Sequence, residues 1–238
     1  MKNPIQLIPF ESLALAFIPV AIVIGIVFRW TRGYKTEIYG FSRMLGQLLL
    51  VGYFLTYIFE SDKASIVLLV IAVMVFASSS IALRTVKEQW RKLYWRAFLA
   101  ILLGGGSVLA LITQGVLNLD PWYLPSYFIP LAGMIFANSM NSVSLAADRL
   151  YAEAGRDIPF NQARNIALRS SLIPMTNALF AVGLVSLPGM MTGQILSGVS
   201  PLIAVRYQIM VMCMVFGAAG LSSALFLTLV RADFPSAK

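Results

Sequence analysis

The sequence predicts an all-α integral membrane protein of about seven transmembrane helices, N-terminus outside and C-terminus cytoplasmic. Three observations carry this. Of the 238 residues, 59% are apolar and 12% charged, against about 25% charged in an ordinary soluble domain. The charges are confined to connectors between long uncharged runs. The basic residues alternate between the two sides of those runs.

The uncharged runs cover 12–28, 44–59, 64–83, 97–119, 121–147, 170–205 and 207–230. A helix needs about 20 apolar residues to cross the hydrocarbon. Strands of a membrane barrel alternate apolar and polar residues, and these runs do not. Backbone groups in lipid must bond within their own segment, which leaves helices. The expected spans are 11–28, 44–59, 64–83, 97–117, 127–147, 171–187 and 207–230, within one transmembrane domain, 1–238. The first is expected to be retained. Lys2 makes a basic start, but the run is long and no A-x-A site closes it.

The run 170–205 needs a break. A straight helix over it would reach about 54 Å, against a hydrocarbon core of about 30 Å. Pro188 and Gly189 are the expected break, with Gly193, Gly198 and Pro201 following. One span to about Leu187 and a re-entrant or interfacial segment over 188–201, on the outside, is expected. Two full spans are the alternative, and would put Arg206 inside and the tail outside.

Orientation follows from the basic residues. Arg29, Arg32, Lys35 and Arg43 follow the first span. Arg84, Lys87, Arg91, Lys92 and Arg96 follow the third; Arg149, Arg156, Arg164 and Arg169 follow the fifth; Arg231 and Lys238 form the tail. Fifteen of the eighteen therefore share one side, leaving Lys2, Lys63 and Arg206 on the other. The excess of +8 thus reads as the positive-inside bias, not as a nucleic-acid surface. Trp30, Trp90, Trp95 and Trp122 all flank spans, where indole rings favour the headgroups.

Two cytoplasmic connectors look structured. In 84–96, Val86, Trp90 and Leu93 fall on one helical face among basic residues, as in an interfacial helix. The segment 148–169 carries both charges. Asp157 and Pro159 are helix-start signals, and Phe160, Ala163 and Ala167 then share a face. It reads as either a surface loop or a docking helix for a cytoplasmic partner.

Much chemistry is excluded. There is no histidine, and Cys213 is the one cysteine, so an internal disulfide, a metal site built from several cysteines or from histidines, and a Ser-His-Asp triad are all out of reach. No G-x-x-x-x-G-K-[ST] loop is present to hold ATP. No span carries a charge near its middle, which argues against a proton-coupled carrier and less strongly against a sodium-coupled one.

The polar residues within spans are uneven. Asn138, Asn141 and Ser142 share a face in the fifth span, and Met134 extends it by one turn. Two amides in lipid are costly, so this face looks into protein or water. Interhelical hydrogen bonding and lining of a substrate path both satisfy that requirement. Ser139 and Ser144 add to the same span. Ser78, Ser79 and Ser80 suit packing, and Arg43 with Gln47 suits an interfacial anchor or a lining. The triplet Gly104, Gly105, Gly106, and Gly217 with Gly220, allow close helix contact or dimer packing. Gly189 and Gly193 form a weak G-x-x-x-G match.

One stretch is distinctive. It runs Leu187, Pro188, Gly189, Met190, Met191, Thr192, Gly193, Gln194, Ile195, Leu196, then Ser200, Pro201, Leu202 and Tyr207, Gln208, Ile209. Arg43 with Gln47 and Gly52, Pro130 with Met134, Asn138 through Asn141, and Leu145 accompany it. Together these resemble the FetB (YbbM-type) permeases, which include bacterial iron-export subunits and plant half-transporters linked to aluminium tolerance. The resemblance implies the membrane subunit of an ABC exporter for iron or another metal, in the bacterial inner or plasma membrane. It implies a homodimer and a separate cytoplasmic FetA-like ATPase, which would hold the ATP and magnesium. No cofactor is expected on this chain. Glu153, Ala154 and Gly155, with Ile166 and Pro174 after them, are similar to the cytoplasmic coupling loop of ABC permeases. Glu153, Gly155, Arg156 and Arg164 are therefore the expected ATPase-coupling residues, and Asn138, Asn141, Ser142, Met134 and Gln47 the expected substrate path. The ligands of any metal stay open. A self-contained channel or ion-coupled secondary transporter is the competing reading, motivated by the break near Pro188. An intramembrane enzyme has no catalytic dyad or metal cluster to support it.

Overall fold

A computed structural model describes residues 8–31, 33–59, 63–156 and 158–234, with backbone alone at 55 and 56. Lys2, Arg32, Lys238 and Asp157, used above, lie outside the described residues. The chain divides into two units, Met1–Ser61 and Asp62–Lys238.

In the first unit, α1 (Phe10–Leu15) and α2 (Phe17–Thr31) are nearly continuous. Pro19 has no N–H to offer the Leu15 carbonyl, and the chain hitches at Ala16. Thr31 ends α2, its hydroxyl donating to the Val27 carbonyl (2.9 Å) and accepting from the Gly33 N–H (3.2 Å). The Phe28 and Tyr34 rings meet edge to face, 5.1 Å apart. Helix α3 (Lys35–Phe59) starts well before the expected 44, because no proline lies between Lys35 and Arg43, a single Gly40 is tolerated within a helix, and Glu37 favours the first turn. Large apolar side chains stand exposed on all three helices.

The second unit is a packed bundle. It comprises α4 (Ala64–Ala82), α5 (Trp90–Ala110), α6 (Pro125–Ala154), α7 (Phe160–Ala181), α8 (Gly189–Leu196) and α9 (Pro201–Val230). Helix α9 is the hub, packing on α5, α6, α7 and α8, while α6 also packs on α4, α5 and α7. Five helical stretches among the described residues are long and apolar enough to cross a membrane: Phe10–Thr31, Ala64–Ala82, Arg84–Val116, Pro125–Ala154 and Pro201–Asp233. Helix α7, 22 residues long, is more polar and is not among them.

Three local features differ from expectation. Residues Arg84–Gln89 form a tight 3-10 segment, and Val86 leaves helical geometry altogether (φ −115, ψ 52). The expected face of Val86, Trp90 and Leu93 is therefore broken; the helix starts at Trp90, and Leu93 is fully buried in the bundle. The segment 148–169 is largely the ends of two long helices. Helix α6 runs to Ala154 and α7 begins at Phe160, behind Pro159 in an extended conformation. Of the expected stripe, Ala163 and Ala167 are buried and Phe160 is half-buried; Ser171, not expected, continues it one turn on, on the helix that packs against α6 and α9.

Helix α7 ends at Ala181, short of Leu187, in a turn where Gly183 (φ 84) donates its N–H to the Ser186 carbonyl (3.0 Å). Helix α8 has eight residues, about 12 Å, so no second crossing fits between α7 and α9. It closes with a left-handed Gly198 (φ 92), whose N–H reaches the Ile195 carbonyl (2.9 Å) while that of Val199 reaches Gln194 (3.0 Å). These paired bonds satisfy the carbonyls at the helix end and need a residue without Cβ strain. Pro201 then opens α9 at its first turn, where its missing N–H is harmless.

Candidate functional site

The expected polar face of α6 is split by its packing. Ser142 is buried and donates to the Ser171 carbonyl of α7 (3.2 Å), and its oxygen lies 2.6 Å from that of Ser223 on α9. Ser139 is buried one turn back. It donates to the Ala218 carbonyl (3.3 Å) and accepts from the Ser222 hydroxyl (3.0 Å). Two Ser–Ser pairs thus join α6 to α9 in the middle of the bundle. Each is a modest tie, about 0.6 kcal/mol on average for such bonds in membranes.

The asparagines sit on the other flank. Asn138 is half-buried and donates its amide to the Met134 carbonyl (2.8 Å), satisfying itself within its own helix. Met134 is half-buried, and Asn141 is exposed. The structure brings Met134, Asn138 and Asn141 along one open edge of α6 and turns Ser142 into the core. Gln47 is exposed on α3, in the first unit.

Sequence reasoning overlooked Ser222, Ser223 and Ser171. The available signal was the adjacent Ser222 and Ser223 within a long uncharged run, which needed partners somewhere.

The glycine patches also separate. A Cβ on Gly104 would lie 2.7 Å from the Ser222 backbone nitrogen and 2.8 Å from its Cα. Helices α5 and α9 touch there, backbone to backbone. Gly105 faces the Ile135 and Phe136 side chains at 3.0–3.2 Å. Gly106, Gly189 and Gly193 face open space, and Gly217 and Gly220 make only ordinary contacts.

At the α6–α7 link, Glu153 has a side-chain accessibility of 2%. Its carboxylate takes Arg149 at 2.6 Å and Arg156 at 3.5 Å. Such a buried group cannot reach a partner protein; it holds the two arginines in place. Gly155 and Arg156 are exposed, and Arg164 is half-buried with its guanidinium on the Asn165 side-chain oxygen (3.2 and 3.4 Å). Nearby, Asp233 pairs with Arg96, and the Phe234 ring packs on Tyr151 (5.6 Å) and Phe160 (5.1 Å). The end of α9 is thereby tied to α5, α6 and α7. A cleft of about 560 Å³ opens between the Arg84–Gln89 segment and the last turns of α6 at Asp148, Tyr151 and Ala152.

The distinctive stretch is the short helix α8. Pro188 precedes its first turn and accepts from the Thr192 hydroxyl (3.2 Å). Gly189, Met190, Met191, Thr192, Gly193 and Gln194 form its body. Helix α8 packs on α9. Among the described residues no group of three or more Asp, Glu, His or Cys could hold a metal ion.

Known proteins resemble this chain over most of its length. The chain is 39% identical over 191 residues to the UPF0014 membrane protein slr1647 of Synechocystis, covering 73% of each chain. It is 36% identical over 230 residues to the probable iron export permease protein FetB of Escherichia coli, covering 90% of this chain and 87% of that one. It is 31% identical over 223 residues to Protein ALUMINUM SENSITIVE 3 of Arabidopsis thaliana, covering 86% and 80%. No solved structure matches it. Residues 10–234 match the uncharacterised protein family UPF0014, and the chain belongs to that family as a multi-pass membrane protein.

Proposed function

We propose that this chain is the permease subunit of an ABC exporter for iron or another metal ion, working as a homodimer with two separate ATPase subunits. The observation that carries the reading is the near full-length similarity to the probable iron export permease FetB. The missing ATP-binding loop supports an energy source on another chain. In this reading all seven long helices cross the bilayer, α8 lies at the outer face, and the C-terminus is cytoplasmic. The basic connectors favour that orientation.

Helix α7 supports the dimer. Gln162, Asn165, Arg169 and Asn177 are exposed along it, and lipid is a poor solvent for them. A second copy of the chain, or a water-filled path between two copies, covers this side. The open edge of Met134, Asn138 and Asn141 then lines the path. Exposed Arg156 and half-buried Arg164, together with the cleft at Arg84–Gln89, form the ATPase dock. Glu153 is a positioning residue for it.

The test is reconstitution. The chain should co-purify with a P-loop ATPase, and the pair should move iron out of inverted vesicles only with ATP. Full flux by the chain alone in proteoliposomes would overturn the reading in favour of a channel or ion-coupled carrier.

A further inference from the structure

A cavity of about 530 Å³ lies between the end of α7, the turn after it, α8 and the first turns of α9. It is at the end of the bundle remote from Glu153. Most of its wall is apolar, from residues such as Leu179 and Pro188. Its remaining lining is unusual. Met191 of α8, and Met212 and Cys213 of α9, bring three sulfur side chains to one space. One turn before Met212 stands Gln208, 6% exposed, whose carboxamide oxygen has no hydrogen-bond partner.

That orphan oxygen needs an explanation. A buried acceptor left unpaired costs about 1–3 kcal/mol, yet Leu in its place would pack without that cost. Gln208 lines the same cavity as the three sulfur side chains. Cys213 is exposed and forms no disulfide. Met191 and Met212 are half-buried.

We propose that this cavity binds one soft monovalent cation, Cu(I) or Ag(I), through the sulfurs of Met191, Met212 and Cys213, with the Gln208 oxygen as a weak fourth contact. Thioether and thiolate donors select such ions, and a carboxamide oxygen serves as a weak axial ligand in copper sites. Hard cations such as Fe(III) or Al(III) prefer carboxylate oxygens, and the cavity wall has none. Binding exchanges the Cys213 thiol proton for the metal: Cu(I) and the thiol give a Cu(I)–thiolate and one released proton. Affinity therefore falls as pH falls. The site is additional to the export reading and does not rest on it.

The experiment titrates the full-length purified chain in detergent with Cu(I) under anaerobic conditions, against bicinchoninate as competitor. One ion per chain is expected. A chain carrying Met191→Leu, Met212→Leu and Cys213→Ser should bind at least about 100-fold more weakly, while Met74→Leu, on α4 and outside the cavity, should bind normally. Thermal unfolding checks that each variant is folded; Met→Leu conserves volume and costs under about 1.5 kcal/mol. Copper K-edge absorption of the unmodified chain should show sulfur neighbours. Unchanged binding in the triple variant, no binding by the unmodified chain, or a shell of nitrogen and oxygen alone would each overturn the proposal. None of these outcomes touches ATP-driven iron export.

Discussion

Gly104 offers the sharpest test of the helix packing. Replacing it by Ala adds one methyl-sized group where the Ser222 backbone lies 2.7–2.8 Å away. Backbone cannot swing aside as a side-chain tip can, so α5 and α9 must part by several tenths of an ångström. That separation would also strain the Ser222–Ser139 hydrogen bond (3.0 Å). Overpacking of this kind costs about 1–3 kcal/mol. Helix propensity opposes it, because Ala is favoured over Gly by about 1 kcal/mol. Gly106 cancels that term: it lies in the same helix, and nothing stands within 4 Å of its added Cβ. The difference between Gly104→Ala and Gly106→Ala therefore isolates the clash. The assay is thermal unfolding of the purified chain in detergent, followed by tryptophan fluorescence. Gly104→Ala should melt about 2–12 °C below Gly106→Ala, taking about 2–4 °C per kcal/mol for a chain of this size. Equal midpoints would show that α5 and α9 do not touch at Ser222, and the seam built around that contact would fall.

Four further outcomes follow from the same geometry. Glu153→Gln should destabilise the fold by about 2–3 kcal/mol, reduced from a fully buried pair because Arg149 keeps 43% of its side chain accessible; an unchanged unfolding midpoint would remove its positioning role. Ser142→Ala should cost under about 1 kcal/mol, because Ser223 can turn its hydroxyl to a carbonyl of its own helix, and a collapse in folded yield would show the seam to be more than packing. In the reconstituted pair, Asn141→Leu should impair ATP-driven efflux without loss of insertion, whereas charge reversal at Arg156 and Arg164 should weaken ATPase binding; normal efflux and normal binding respectively would reject these assignments.

The helical character of the chain was legible because it depends only on local composition. Long uncharged runs have one way to satisfy their backbone in lipid. That the run 170–205 breaks was legible for the same reason, since Pro188, Gly198 and Pro201 act on their own neighbours, but α7 already ends at Ala181, before them. Helix ends were less so. Helix α7 begins at Phe160 and carries Arg164 and Arg169 inside it, because charged residues are good helix formers and uncharged runs mark lipid depth, not helix length. The extent of α3 before residue 44 has the same origin.

What stayed hidden depends on contacts between distant residues. Gly104, Gly105 and Gly106 are identical in sequence, yet only the helical phase set by α9 makes the first a backbone contact and leaves the last open. Asn138, Asn141 and Ser142 share a face by spacing, but the edge of the buried stripe falls between them, and one turns to Ser223 while another stays outside. Glu153 shows what this does to function. By sequence it is an acidic residue in a cytoplasmic connector, free to meet a partner; by packing it is a buried counter-ion for two arginines. If an ATPase docks as proposed, its signal would enter through Arg156 and the residues of the Arg84–Gln89 cleft. Glu153, paired with Arg156 and Arg149, would then pass it along the helix whose serines grip α9. A rigid coupling of this kind requires the α6–α7 link and the α6–α9 seam to move as one body. The two Ser–Ser ties and the close approach at Gly104 are the contacts that would make them do so.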